Sequence, residues 1–178
     1  MASIFGGKLK KIGNAFSGKD QVESAGVEEV KENSVLLTQN VITGLSSEGK
    51  WDAIKRAGEL LMNSGYVEEG YIPAMAEREE LITTYIGNHL AIPHGIGEAA
   101  GFIKETGIVV LQYPEGVDFG EGNVAYIVIG IAGKGDEHMT ILGSIAGIFQ
   151  DAEKAKEIAT IEDAEEIYNL FTNVGVLK

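Results

Sequence analysis

Leu90-Ala91-Ile92, Ile108-Val109-Val110-Leu111-Gln112-Tyr113 and Tyr126-Ile127-Val128-Ile129-Gly130-Ile131-Ala132 are three short apolar runs, rich in β-branched residues and bounded by Gly or Pro. Runs of this length without polar alternation read as strands buried on both faces. Helical spacing surrounds them. Ser47 is placed to cap a helix carrying Trp51, Ile54, Ala57, Leu60 and Leu61, and Gly65 falls where a left-handed C-terminal cap is wanted. A second helix is predicted over Glu69 to Glu80, with Pro73 near its first turn. After the strands, Met139, Leu142, Ile145, Ile148 and Phe149 define a helix from His138 to Phe149, and two more are expected over Ala152 to Ile158 and Asp163 to Phe171. The fold expected is α/β: a mixed, partly parallel sheet covered by helices on both faces, in one domain from residue 34 to 178.

Composition narrows the chemistry. The 178 residues include no cysteine, three histidines and a formal net charge of -13. Disulfides, thiolate metal sites and a cysteine nucleophile are excluded. The acidic balance argues against a nucleic-acid partner, which needs a basic face. No apolar run approaches a membrane span and no cleavable signal opens the chain, so a cytoplasmic location is expected.

The charge is unevenly spread. Residues 1–20 hold Lys8, Lys10, Lys11 and Lys19 against Asp20 alone, a net +3, and the rest of the chain sums to -16. Phe5, Leu9, Ile12 and Phe16 form an apolar stripe in that segment. It reads either as a basic amphipathic helix suited to an anionic membrane surface, or as a leader that is disordered or packs on its own domain. Residues 21–33, poor in large apolar side chains, read as a linker.

Three residues are candidates for chemistry. His94 follows Pro93 and precedes Gly95, so the first strand ends on an imidazole where α/β sheets place their sites. His138 follows the loop Gly133-Lys134-Gly135-Asp136 at a helix start. If the first and third strands adjoin, the two histidines share a crevice. Arg78 is the one cation in Met75-Ala76-Glu77-Arg78-Glu79-Glu80, either paired to neighbouring glutamates or serving an anion bound at His94. His89 reads as a turn residue. Gly95 to Gly101 distantly resembles a dinucleotide-binding glycine turn, with Glu115 near the distance for a ribose acid, but the spacing is wrong. No phosphate-cradling loop for ATP occurs. His89 and His94 straddle Pro93, which spoils one-face metal ligation, so no metal is expected.

Arg78-Glu79, then Thr84-Tyr85-Ile86-Gly87-Asn88, then Ala91-Ile92-Pro93-His94-Gly95 resemble the phosphorylation-site segment of the mannitol/fructose-type enzyme IIA of the bacterial sugar phosphotransferase system. Lys104 to Val110, Gln112 to Gly120 and Glu137-His138 resemble its mannitol branch, and the likeness runs from about Ser34 to the C-terminus. The resemblance implies a phosphoryl relay without metal or nucleotide. His94 would accept a phosphoryl group from phosphorylated HPr through Nε2 and pass it to a cysteine on the IIB domain of a mannitol-type permease. Arg78 and His138 match the family's other active-site positions. A regulatory binding module controlled by the same histidine is the alternative. Under the relay reading, the absence of cysteine puts the next acceptor on another chain.

Overall fold

The computed structural model describes residues 34–173; the basic segment 1–20 and the linker 21–33 lie outside them. The order is β1 (Val41–Ile42), α1 (Lys50–Asn63), α2 (Tyr71–Leu81), β2 (Tyr85–Gly87), β3 (Leu90–Ala91), a 3-10 turn (Gly97–Phe102), β4 (Gly107–Asp118), β5 (Val124–Ala132), α3 (Glu137–Ile148), α4 (Ala152–Ala159) and α5 (Ala164–Asn173). The five strands are ordered β1-β4-β5-β3-β2. β1 pairs parallel to β4 and β3 parallel to β5, while β4–β5 and β2–β3 are antiparallel. The sheet is mixed, as the apolar runs predict.

Strand periodicity assigns the two cores. On one face Val109, Leu111 and Tyr113 of β4 and Val128 and Ala132 of β5 meet Ala53, Ile54, Ala57 and Leu61 of α1 and Met75 of α2. On the other, Ile108, Val110, Ile127, Ile129 and Ile131 meet Ile141, Ile145, Ile158, Ile167 and Phe171 from α3, α4 and α5. Each fully buried aliphatic side chain contributes about 1.5–3 kcal/mol, so the sheet is a stiff platform. Gly130 sets how closely α1 approaches: a Cβ there would stand 2.9 Å from Val109 Cγ2 and 3.0 Å from Ala57 Cβ.

The helix ends refine the sequence reading. Gly65, at φ +82°, closes α1 as expected. Its N–H donates to the Met62 carbonyl and that of Tyr66 to the Leu61 carbonyl, the paired bonds of a left-handed cap. Ser47 does not cap α1: Gly49 holds the N-cap position, and the Ser47 hydroxyl donates to the Gly116 carbonyl at 2.6 Å. β2 and β3 are joined through Asn88 and His89, both at positive φ, the conformation of a tight two-residue hairpin turn. His89 is thus the turn residue expected, its Nδ1 2.8 Å from the Val124 carbonyl. Residues 97–102 form a 3-10 turn rather than the strand-to-α-helix turn of a dinucleotide site, which removes the nucleotide reading of Gly95 to Gly101.

Candidate functional site

Parallel pairing sets the carboxyl ends of β3 and β5 side by side, Leu90 opposite Ile127 and Ala91 opposite Val128. A bridge between His94 and Ile131 carries the pairing past the strand, with the Ile131 N–H donating to the Pro93 carbonyl at 3.1 Å. β5 then turns through Gly133–Asp136 into α3, whose second residue is His138. The two imidazoles meet with ring centroids 4.8 Å apart and planes inclined by 54°.

The two rings are prepared differently. His94 is only 9% exposed, and its Nδ1 lies 2.7 Å from the Ile92 carbonyl oxygen. A carbonyl only accepts, so Nδ1 is assigned the proton and Nε2 keeps its lone pair. Burial pulls the His94 pKa below its ordinary 6.5; the Ile92 bond opposes this, His138 and Arg78 add to it, and Glu79 opposes it. His138, half-buried, is also lowered, first by burial and then by Arg78. Both imidazoles are therefore neutral at about pH 7.

Arg78 stands in the last turn of α2. Its Nη1 donates to the Ile82 carbonyl at 2.6 Å, and no ion pair among the described residues includes it. One N–H anchors the fork and the others stay available to an anion. Pairing to neighbouring glutamates, the other reading of Arg78, is not what the side chain does.

Tyr71, which sequence reasoning did not single out, and two glycines it named as neighbours of the histidines hold this arrangement. Tyr71, fully buried, donates its hydroxyl to the Ile131 carbonyl at 2.7 Å and accepts the Gly95 N–H at 2.9 Å, tying β5 to the turn after His94. Burial pushes its pKa up to about 12, so it remains a donor. A buried tyrosine needs such a partner, and that was the available signal. Gly95 serves by its small size rather than by a left-handed turn: it is absent from the residues at positive φ, and a Cβ would lie 2.7 Å from Ala99 Cβ and 2.9 Å from Tyr71 Cε2. Gly133 gives the same freedom to the other imidazole, since a Cβ would fall 2.6 Å from His138 Cα.

Exposed apolar side chains lie beside Arg78. Leu81, Ile96 and Phe102 line a groove of about 490 Å³ with Arg78; Ile82, just after α2, and Met139, next to His138 on α3, are each 69% exposed.

Residues 34–174 match the family described as phosphoenolpyruvate-dependent sugar phosphotransferase system, EIIA 2. A mannitol-specific phosphotransferase enzyme IIA component from Geobacillus stearothermophilus is 44% identical over 141 residues, 79% of this chain and 97% of that protein. The crystal structure of IIA mannitol from Escherichia coli superposes with a TM-score of 0.72 at 38% identity, covering 76% of this chain and 98% of that one. A solution complex of Escherichia coli enzyme IIAMTL with phosphorylated enzyme IIBMTL matches equally, at TM-score 0.72 and 38% identity over 76% of this chain and 95% of that one. With a match across nearly the whole described region, the chain belongs to the EIIA 2 family of the phosphoenolpyruvate-dependent sugar phosphotransferase system.

Proposed function

We propose that this phosphotransferase component takes a phosphoryl group from phosphorylated HPr onto Nε2 of His94 and passes it to the IIB domain of a mannitol-type permease. The supporting observation is the His94–Ile92 bond: it keeps the proton on Nδ1 and leaves one nitrogen with a lone pair in a neutral, largely buried ring. The Nε2–P bond forms as the bond from phosphorus to the donor breaks, and the donor keeps that electron pair. Transfer onward reverses the sense: an acceptor thiolate attacks phosphorus and the pair returns to Nε2. Such transfer asks a protein for in-line positioning and for charge on the equatorial oxygens. Arg78 supplies the charge and His138 a neutral N–H donor. The mannitol-specific relatives support the sugar class, and the complex containing phosphorylated IIB supports the acceptor.

The apolar groove beside Arg78 gives both partners one surface on which to dock in turn. The test adds the phosphorylated protein to membranes carrying a mannitol permease. Mannitol phosphate should form in proportion to phosphoprotein consumed; phosphoprotein that persists while no sugar phosphate forms would favour the regulatory alternative.

Among the described residues no helix is long and apolar enough to cross a membrane. We assign the protein to the cytoplasm and residues 1–20 to weak contact with anionic lipid, which would raise its concentration near the transporter. The full chain should sediment with phosphatidylglycerol vesicles more than a chain starting at Ser34, and lose that advantage in high salt. Equal sedimentation removes the membrane role.

A further inference from the structure

Glu79 follows Arg78 in the last turn of α2, yet its side chain is fully buried. Burying a carboxylate is costly unless donors satisfy it. Here four do. Oε1 accepts from the Thr83 hydroxyl at 2.8 Å and from Lys50 Nζ at 3.4 Å. Oε2 accepts from the Thr84 N–H at 2.5 Å and the Thr84 hydroxyl at 2.7 Å. These bonds fix the connection between α2 and β2, and that connection touches both halves of the site. At one end the Ile82 carbonyl holds Arg78. At the other the Thr84 carbonyl accepts from the Ile92 N–H at 2.9 Å, and the Ile92 carbonyl holds Nδ1 of His94.

We propose that Glu79 is a positioning residue for phosphoryl transfer: its buried carboxylate locks the α2–β2 connection, and through it the Arg78 fork and the carbonyl that fixes the His94 tautomer. The proposal rests on His94 as the acceptor. A carboxylate suits the clamp because both of its oxygens accept; glutamine keeps one acceptor oxygen and would turn its NH2 toward Thr83 and Lys50, of which only the Thr83 hydroxyl can accept. The anchor reaches the imidazole through three hydrogen bonds in series, and misplacement on the ångström scale is enough to slow an in-line transfer.

The experiment is single-turnover phosphorylation from phospho-HPr, with ¹⁵N NMR of the imidazoles in the same samples. Glu79→Gln should lower the saturating rate about tenfold with the half-saturating phospho-HPr concentration unchanged. Its His94 should exchange between the two neutral tautomers, where the wild type holds its proton on Nδ1. A folded Glu79→Gln protein with the wild-type rate and a single tautomer overturns the proposal. If circular dichroism shows that variant unfolded, Thr84→Val, which removes one bond and no charge, should slow transfer about threefold with the same tautomer mixing; wild-type behaviour there overturns it equally. The tautomer readout needs no transfer, so it decides the role of Glu79 even if labelling of His94→Ala were to overturn the acceptor reading.

Discussion

Replacing His94 with alanine is expected to abolish phosphorylation altogether. With phosphoenolpyruvate, enzyme I and HPr, the wild-type chain should gain one phosphoryl mass that is labile in acid and stable in alkali, and His94→Ala should gain none. The expectation rests on no other side chain among the described residues being both in the crevice and held in one tautomer. The protein has no cysteine, and His89 lies in the turn before β3, at the opposite end of that strand from His94; its Nδ1 bond to the Val124 carbonyl fixes a tautomer as the Ile92 bond does, so position is what excludes it. His138 is the neighbouring imidazole, at 4.8 Å between centroids, but no carbonyl is recorded on either of its nitrogens among the described residues, so its tautomer is not fixed as that of His94 is. Label appearing on His138 in the variant would show that proximity alone suffices and that the Ile92 bond is dispensable.

Arg78→Ala should slow phosphoryl transfer about 10²- to 10³-fold with little loss of stability, the cost of removing one preorganised group from the developing charge. The fold should tolerate the change because Arg78 is only half-buried and its recorded bond goes to the Ile82 carbonyl at the helix end. A second effect follows from electrostatics. Arg78 lowers the pKa of both His94 and His138, so its removal raises both toward 6.5. Protonation of Nε2 blocks attack, and the acid-side fall in rate should therefore begin at higher pH in the variant. A proton NMR titration of the two imidazoles checks the shift independently of the rate; unchanged pKa values with an unchanged rate would return Arg78 to a surface role.

The sheet centre was legible because Ile108–Leu111 of β4 and Tyr126–Ala132 of β5 are apolar without interruption; β4 runs on through Pro114 and Glu115 to Asp118, which the apolar run does not reveal. β1 and β2 were not legible. Val41–Ile42 and Tyr85–Gly87 are too short to carry a period, and only pairing with longer neighbours makes them strands. Ser47 failed as a cap because β4 claimed its hydroxyl through Gly116, a contact 69 residues away that no local pattern encodes. The nearness of His94 and His138 followed from strand adjacency, which the sequence could state only as a condition. Tyr71 was hidden because its partners, Gly95 and Ile131, lie far along the chain; Glu79 bonds chiefly to Thr83 and Thr84 close by, and what the sequence could not show is that its side chain is buried. Gly95 was named as the residue after His94 and as the start of a glycine turn, whereas the fold uses its lack of a side chain.

The central claim is that phosphorus bonds to Nε2 of His94 while Nδ1 keeps its proton on the Ile92 carbonyl. Long-range ¹H–¹⁵N correlation of the phosphorylated, ¹⁵N-labelled protein reads both nitrogens directly. One phosphorylated imidazole, assigned to His94, should show phosphorus coupling at Nε2 and a retained proton at Nδ1. Coupling at Nδ1, or at any other residue, would contradict the account.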